Sequence, residues 1–250
     1  MSLDAIRTAS AGAAFWVAAA RDGSPGPLAI TGPTPDIDVT LTAPLPVGTR
    51  AVTGPRGVVV LVRSVYYDHE PSQAELNTPP AIPPVTVQGI ALARDGRFHP
   101  RKFTAALTPS TPTYVVLRPT LMATRIGEAG AVILTLQWSS GAAASWSIVL
   151  LTCTRNGNKL GFSAQADING DVIVPLTGLP PLAASQSHDL MTMTVQADQA
   201  QAGVAVNDPD ALKPVTVSIG GAFAANQTLT IVRGTIIRGR DLGIAAVRLQ

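Results

Sequence analysis

The chain reads as all-β, as two or three antiparallel β-sandwich modules in tandem with Pro/Gly-rich loops. Three observations predict this. Prolines break the chain repeatedly, with doublets at Pro79-Pro80, Pro83-Pro84 and Pro180-Pro181, and proline removes a backbone donor and blocks helix interiors. Between the breaks lie short Val/Ile/Leu/Thr runs, such as Asp38–Thr42, Thr113–Leu117, Ala131–Leu136 and Thr228–Val232, and such runs bounded by Gly, Pro and Asn are strand signals. Turn dipeptides recur, as Asp95-Gly96 and Asn169-Gly170, and these supply the positive φ that tight hairpins demand. Many short strands at regular spacing indicate sandwiches. Two segments, Leu3–Ala11 and Gln196–Gly203, read as short helices.

The elements follow in order. Residues 1–35 form an N-terminal arm or extra strands. Residues 36–122 form a first sandwich, ending where Arg118-Pro119 precedes a new strand set. Residues 123–195 form a second. Residues 196–250 hold C-terminal strands, around Arg238-Gly239-Arg240-Asp241, which pack on module two or on a neighbouring subunit. A longer repeat is hinted at. Ala-Arg-Asp-Gly occurs at Ala20–Gly23 and Ala93–Gly96, 73 positions apart, and Asn169-Gly170 follows 74 positions later. Thr49-Arg50 and Thr124-Arg125 are 75 positions apart.

The stretch Ala91–Thr104 holds Arg94, Asp95, Arg97, Phe98, His99, Arg101, Lys102 and Phe103. It reads as a hairpin turning at Asp95-Gly96. Phe98 plugs the sandwich while Arg97 and His99 face out. The interleaved basic and aromatic residues are also what a single-stranded nucleic-acid groove would use, but a solvated hairpin face is the simpler reading.

Charged residues make up 14% of the chain, against about 25% in an ordinary globular protein. No run of about 18 apolar residues exists to span a membrane as a helix, so the low charge points to a surface covered by protein. The net charge of +2 is too mild to imply nucleic acid. The single cysteine, Cys153, lies in an apolar strand and excludes an intrachain disulfide. The N-terminus, with Asp4 where a secretory signal carries positive charge, reads as that of a cytoplasmic product without secretory targeting.

The residue types of catalysis are present without its patterns. Ser187-His188-Asp189 are adjacent, so their side chains diverge where a triad needs them to converge. His69, His99 and His188 lack zinc-ligand spacing. Asp167, Asn169 and Asp171 have D-x-N-x-D spacing, but Val172 and Gly178 stand where an EF-hand loop needs glycine and glutamate. The 16 acidic residues show no pairing of the glycosidase kind. No phosphate-binding glycine loop is present. No catalytic, cofactor-binding or metal-binding residue is therefore assigned, no cofactor is expected, and the chain reads as a non-enzyme. Tyr66–Glu70 is the most polar-aromatic patch. With the Pro-rich Asn77–Pro84 it could form an edge that reads a glycan or peptide.

Ser145–Leu151, then Ala166-Asp167-Ile168-Asn169-Gly170 and a strand ending at Pro175, resembles transthyretin-like or carboxypeptidase-regulatory-type sandwich modules. Ala93–Pro100 resembles the D-G-R-F-x-P turn of a preceding module. The order of the two is similar to that in accessory proteins encoded beside contractile phage-tail-like injection systems. The resemblance covers about residues 36–182, with Asp171 where arginine often follows the glycine. It implies a non-enzymatic structural subunit of a phage-tail-like particle: a cap, collar, terminator-associated or baseplate accessory component. Its partners would be itself and sheath, tube, cap or baseplate proteins, and it would assemble in the cytoplasm into a virion-like particle. The alternative is a sandwich module that binds a glycan or peptide.

Overall fold

A computed structural model describes residues 6–18, 36–46, 49–53, 59–66, 72–74, 84–107, 113–155, 157–182 and 186–250, with backbone alone for 6–18, 53 and 59–66. The chain is all-β. In the first module β1 (Ile6–Ala18) pairs antiparallel with β4 (Val59–Tyr66) and parallel with β7 (Thr113–Leu117), and β3 (Thr49–Thr53) lies outside β4. The facing sheet runs β2 (Ile37–Leu41), β5 (Val85–Ala93), β6 (Arg101–Leu107), all antiparallel. The strict alternation of buried and exposed residues along β5 and β6 follows from the two-residue period of a strand covered on one face. Val85, Val87, Phe103, Ala105 and Leu107 point inward with Val115 and Leu117 of β7. Gly89 leaves room for the Phe103 ring across the strand pair, since a Cβ there would lie 2.9 Å from that ring and 2.5 Å from the Thr40 carbonyl oxygen.

The second module repeats this plan. Its first strand, β8 (Ala131–Trp138), pairs antiparallel with β11 (Asp171–Pro175) and parallel with β16 (Ile236–Arg238) and β17 (Val247–Leu249). The facing sheet runs β9 (Ile148–Arg155), β12 (Asp189–Ala197), β15 (Gln227–Ile231), again antiparallel. The third strand is what differs. β3 stays beside β4, whereas β10 (Asn158–Gln165) crosses to pair with β9. The remaining strands, β13 (Lys213–Val215) beside β12 and β14 (Val217–Ser218) beside β17, extend the two sheets. β17 thus closes the sheet of its own module. Leu134, Leu136, Leu151, Phe162, Met191, Met193, Leu229 and Ile231 fill the space between.

Two readings of the sequence are corrected here. The helix expected over Leu3–Ala11 is a strand where the chain is described: β1 begins at Ile6 and pairs with β4 through Ala11, and a sheet partner overrides local propensity. Gln196–Gly203 is the end of β12 followed by a single 3₁₀ turn, Gln199–Gln201. The 74-residue spacing also pairs turns that are not equivalent, and Ala20–Gly23 lies outside the described residues. Asp95-Gly96 joins β5 to β6, while Asn169-Gly170 joins β10 to β11. Counterparts lie farther apart, as with β4 at Val59 and β11 at Asp171, 112 positions on. Both glycines adopt positive φ, 67° at Gly96 and 83° at Gly170. Only Gly170 is also hemmed in, since a Cβ there would meet the Leu136 carbonyl oxygen at 2.3 Å.

Candidate functional site

Among the described residues, polar side chains converge on module two and again between the modules. The first is a cleft of about 350 Å³ on module two, lined by Cys153, Arg155, Ser187, His188 and Asp189 among others. Strand alternation sends Asp189 inward, where it is 5% exposed. Both Arg155 Nε (2.7 Å) and Nη2 donate to Asp189 Oδ1, and Arg155 Nη1 donates to the Pro181 carbonyl (3.2 Å). His188 instead faces solvent, with Nδ1 3.0 Å from Ser187 Oγ. Asp189 is thus committed to the arginine and does not orient the imidazole. A serine–histidine contact lacking that third group lacks the arrangement that fixes tautomer and stabilises the imidazolium. Cys153 is buried on β9, and burial raises its thiol pKa, with Asp189 adding to the rise; a raised thiol is a poor nucleophile.

The second place is the junction between the modules, and the sequence did not disclose it. The start of β6 accepts a segment of module two as if it were another strand: Asn207 N–H donates to the Pro100 carbonyl (3.2 Å) and Lys102 N–H to the Asn207 carbonyl (2.7 Å). The Asn207 side-chain amide also donates to the Pro100 carbonyl. Gln165 Nε2 donates to Asn207 Oδ1 (3.1 Å) and to the Trp146 carbonyl (3.0 Å). Arg101 is held by the carbonyls of Lys102 (3.0 Å) and Val116 (2.7 Å) and reaches Asp210 Oδ2 of module two at 3.0 Å. Arg118 Nη1 donates to Ser163 Oγ on β10 (3.2 Å).

At the centre stand His99 and Trp146, edge to face with ring centroids 5.5 Å apart. Trp146 Nε1 donates to the Val204 carbonyl at 2.7 Å, and the residue takes φ of 62°, the one positive φ outside glycine among the described residues. A bulky residue in that region is strained and persists only where its surroundings hold it; here both ring and backbone are pinned. His99, expected to face out, is buried, and its Nε2 has no hydrogen-bond partner. Burial first of all lowers its pKa to about 4; Arg118 pulls the same way, against Asp167 and the Gln165 carbonyl. The correction has a plain cause. The outer face of one sandwich at this point is the inner face of the contact with the next.

The other expected positions fall as follows. Phe98 is buried in the first core, as expected. Arg94 spends its guanidinium on Asp38, at 2.7 Å through both Nε and Nη2, and on Asp36 at 3.4 Å. Arg101 is buried and so is not among the basic side chains this stretch presents to solvent. Asp167 Oδ1 accepts from the backbone N–H of Asn169 (2.8 Å) and Asp171 (3.0 Å), and Asp171 Oδ1 accepts from the Thr135 hydroxyl (2.7 Å). These carboxylates build the turn. Among the described residues no three His, Cys, Asp or Glu side chains converge as metal ligands, and no helix is long and apolar enough to cross a membrane. His69 lies outside the described residues, as do Tyr67–Glu70 and most of Asn77–Pro84; Tyr66 ends β4.

No protein-family model matches the chain, and no curated protein matches it. Among solved structures it is similar to a streptococcal ancillary pilin, with 12% identity and a TM-score of 0.26 over 78% of this chain and 48% of the pilin. Two endo-fucoidan hydrolases of glycoside hydrolase family 107 match with 14% and 12% identity and TM-scores of 0.15 and 0.16, over 63% and 94% of this chain. The chain spans about half of the pilin and about a quarter of each hydrolase. Likenesses at this level carry no functional argument.

Proposed function

We propose that the chain is a non-enzymatic structural subunit, a two-module β-sandwich block of a contractile phage-tail-like particle. The observation that supports it is the junction. Asn207 and Arg101 cross there from one sandwich to the other, to the Pro100 carbonyl and to Asp210, while Gln165 and the Trp146 indole hold the segments of module two that make the contact. The cleft on module two supports the same reading, since its aspartate is bound by Arg155 and its cysteine is buried. The particle itself comes from the resemblance of Ala93–Pro100 and Ser145–Pro175 to accessory modules of injection systems. Low charge fits a surface finished by neighbours, and Met122 and Leu190, 96% and 61% exposed, are apolar side chains such neighbours would cover. Each Å² of apolar surface so covered contributes about 25 cal/mol before ordering costs.

The test is expression from its native genomic region, followed by purification of any particle and electron microscopy. The reading expects the chain in the particle with sheath, tube, cap or baseplate proteins. A well-behaved monomer that associates with no particle component overturns it, as does a catalytic turnover that is lost in His188→Ala.

A further inference from the structure

We infer that the cleft between the two sandwiches is a binding site for a carboxylate carried on a small, partly apolar body. This cleft, about 250 Å³ and separate from the one at Arg155 and Asp189, is walled by β6, β7 and Arg118 on one side and by Ile148, Gln196 and Asp210 on the other. Its volume equals that of about eight liquid waters, which suits one amino-acid-sized group.

The chemistry of the walls selects the ligand. The charged side chains lining the cleft are Arg101, Arg118 and Asp210, so two guanidiniums and one carboxylate leave one positive charge. That sum matches a singly charged anion better than a phosphate, which would bring a second negative charge toward Asp210. Both arginines stand on the wall that module one supplies and are already fixed: Arg101 by two backbone carbonyls and Asp210, Arg118 by Ser163 of the other module. A planar guanidinium held in place meets a carboxylate without losing further rotamer freedom. Burial, then the Arg101 charge, lowers the Arg118 pKa to about 10, and an anion between the two would relieve that repulsion. Ile148 is buried and Tyr114 is 43% exposed, an apolar wall and an aromatic face for the stem of the ligand. The inference holds whether or not the chain belongs to a particle.

Isothermal titration of the full chain with N-acetylglutamate at low salt tests it, with N-acetylglutamine and inorganic phosphate as the other probes. Saturable binding of the acid is expected, with at least tenfold weaker binding of the amide and of phosphate. Arg118→Gln should cost tenfold or more, and Arg118→Lys should restore part of it. Thr104→Glu provides an independent variant that leaves the buried arginines in place. Thr104 is exposed at the cleft, and a carboxylate there should compete with the ligand and abolish binding. A peptide ending in the same acid that binds tighter than the free acid identifies a protein segment as the source; equal affinity identifies a small molecule. No saturable binding of the acid, equal binding of the amide or phosphate, or undiminished binding in both Arg118→Gln and Thr104→Glu overturns the inference.

Discussion

Arg155 and Arg101 are both sunk among the sandwiches, and each meets one aspartate and at least one backbone carbonyl, yet their surroundings differ. Arg155 lies within module two, and its partner Asp189 is as buried as itself, with side-chain exposures of 11% and 5%. Arg101 lies between modules; it is 9% exposed, but its partner Asp210 is 62% exposed. In the first pair both side chains are largely buried and line the cleft on module two. The second is sealed on one side only, so water supports Asp210 when the pair opens. The difference shows how the chain is built. Inside a module both charges are buried, and Asp189 gives Oδ1 to the arginine while its Oδ2 has no hydrogen-bond partner. Between modules the fastening is shared among many neutral hydrogen bonds and one half-exposed ion pair.

This contrast can be broken in three ways, the largest effect first. Asp189→Ala leaves Arg155 buried without its acid, and losing one partner of a buried pair costs about 3–5 kcal/mol. Urea denaturation of the full chain should show that loss in the transition of module two.

Acid is the second way, and it acts on the junction. The pKa of His99 is lowered from 6.5 to about 4, chiefly by burial. An unfolded chain therefore takes up a proton as pH falls through about 6.5, while the folded junction refuses it until about pH 4. The stability that neutral His99 represents is complete above pH 6.5 and drains away below it. The sum is about 3 kcal/mol over that interval, at about 1.4 kcal/mol per pH unit. His99→Gln should flatten this part of the pH–stability curve relative to the native chain, while the carboxylate contributions common to both remain. An unchanged slope would show that His99 titrates normally.

The third and smallest is Asp210→Ala. Solvent screening of an exposed carboxylate limits the loss to about 1 kcal/mol. The same denaturation curves should separate this value from that of Asp189→Ala.

The strands, turns and sandwich class were legible because each has a local cause. The alternation along Val85–Ala93 and Arg101–Leu107, and the positive-φ glycines at the Asp95-Gly96 and Asn169-Gly170 turns, are visible in a few consecutive residues. Asp167 was legible only as an oxygen-rich turn; which groups it would accept from needed the folded backbone. The junction was not legible at all. His99 and Arg101 carry the composition of a solvated hairpin face, and nothing nearby in sequence announces that Trp146, Gln165 and Asn207 will cover them. The true repeat was hidden for a similar reason. It lies in the order of strand pairing, while the similar dipeptides Asp95-Gly96 and Asn169-Gly170 join strands that are not counterparts.

The account stands on the junction holding two sandwiches as one body. Residual dipolar couplings of backbone amides, measured for both modules in one aligned sample near pH 7, test this directly. A single alignment tensor fitting β2, β5 and β6 together with β9, β12 and β15 is the predicted result. Two tensors differing in magnitude or direction would mean that the modules move independently, and the junction would then be no fastening.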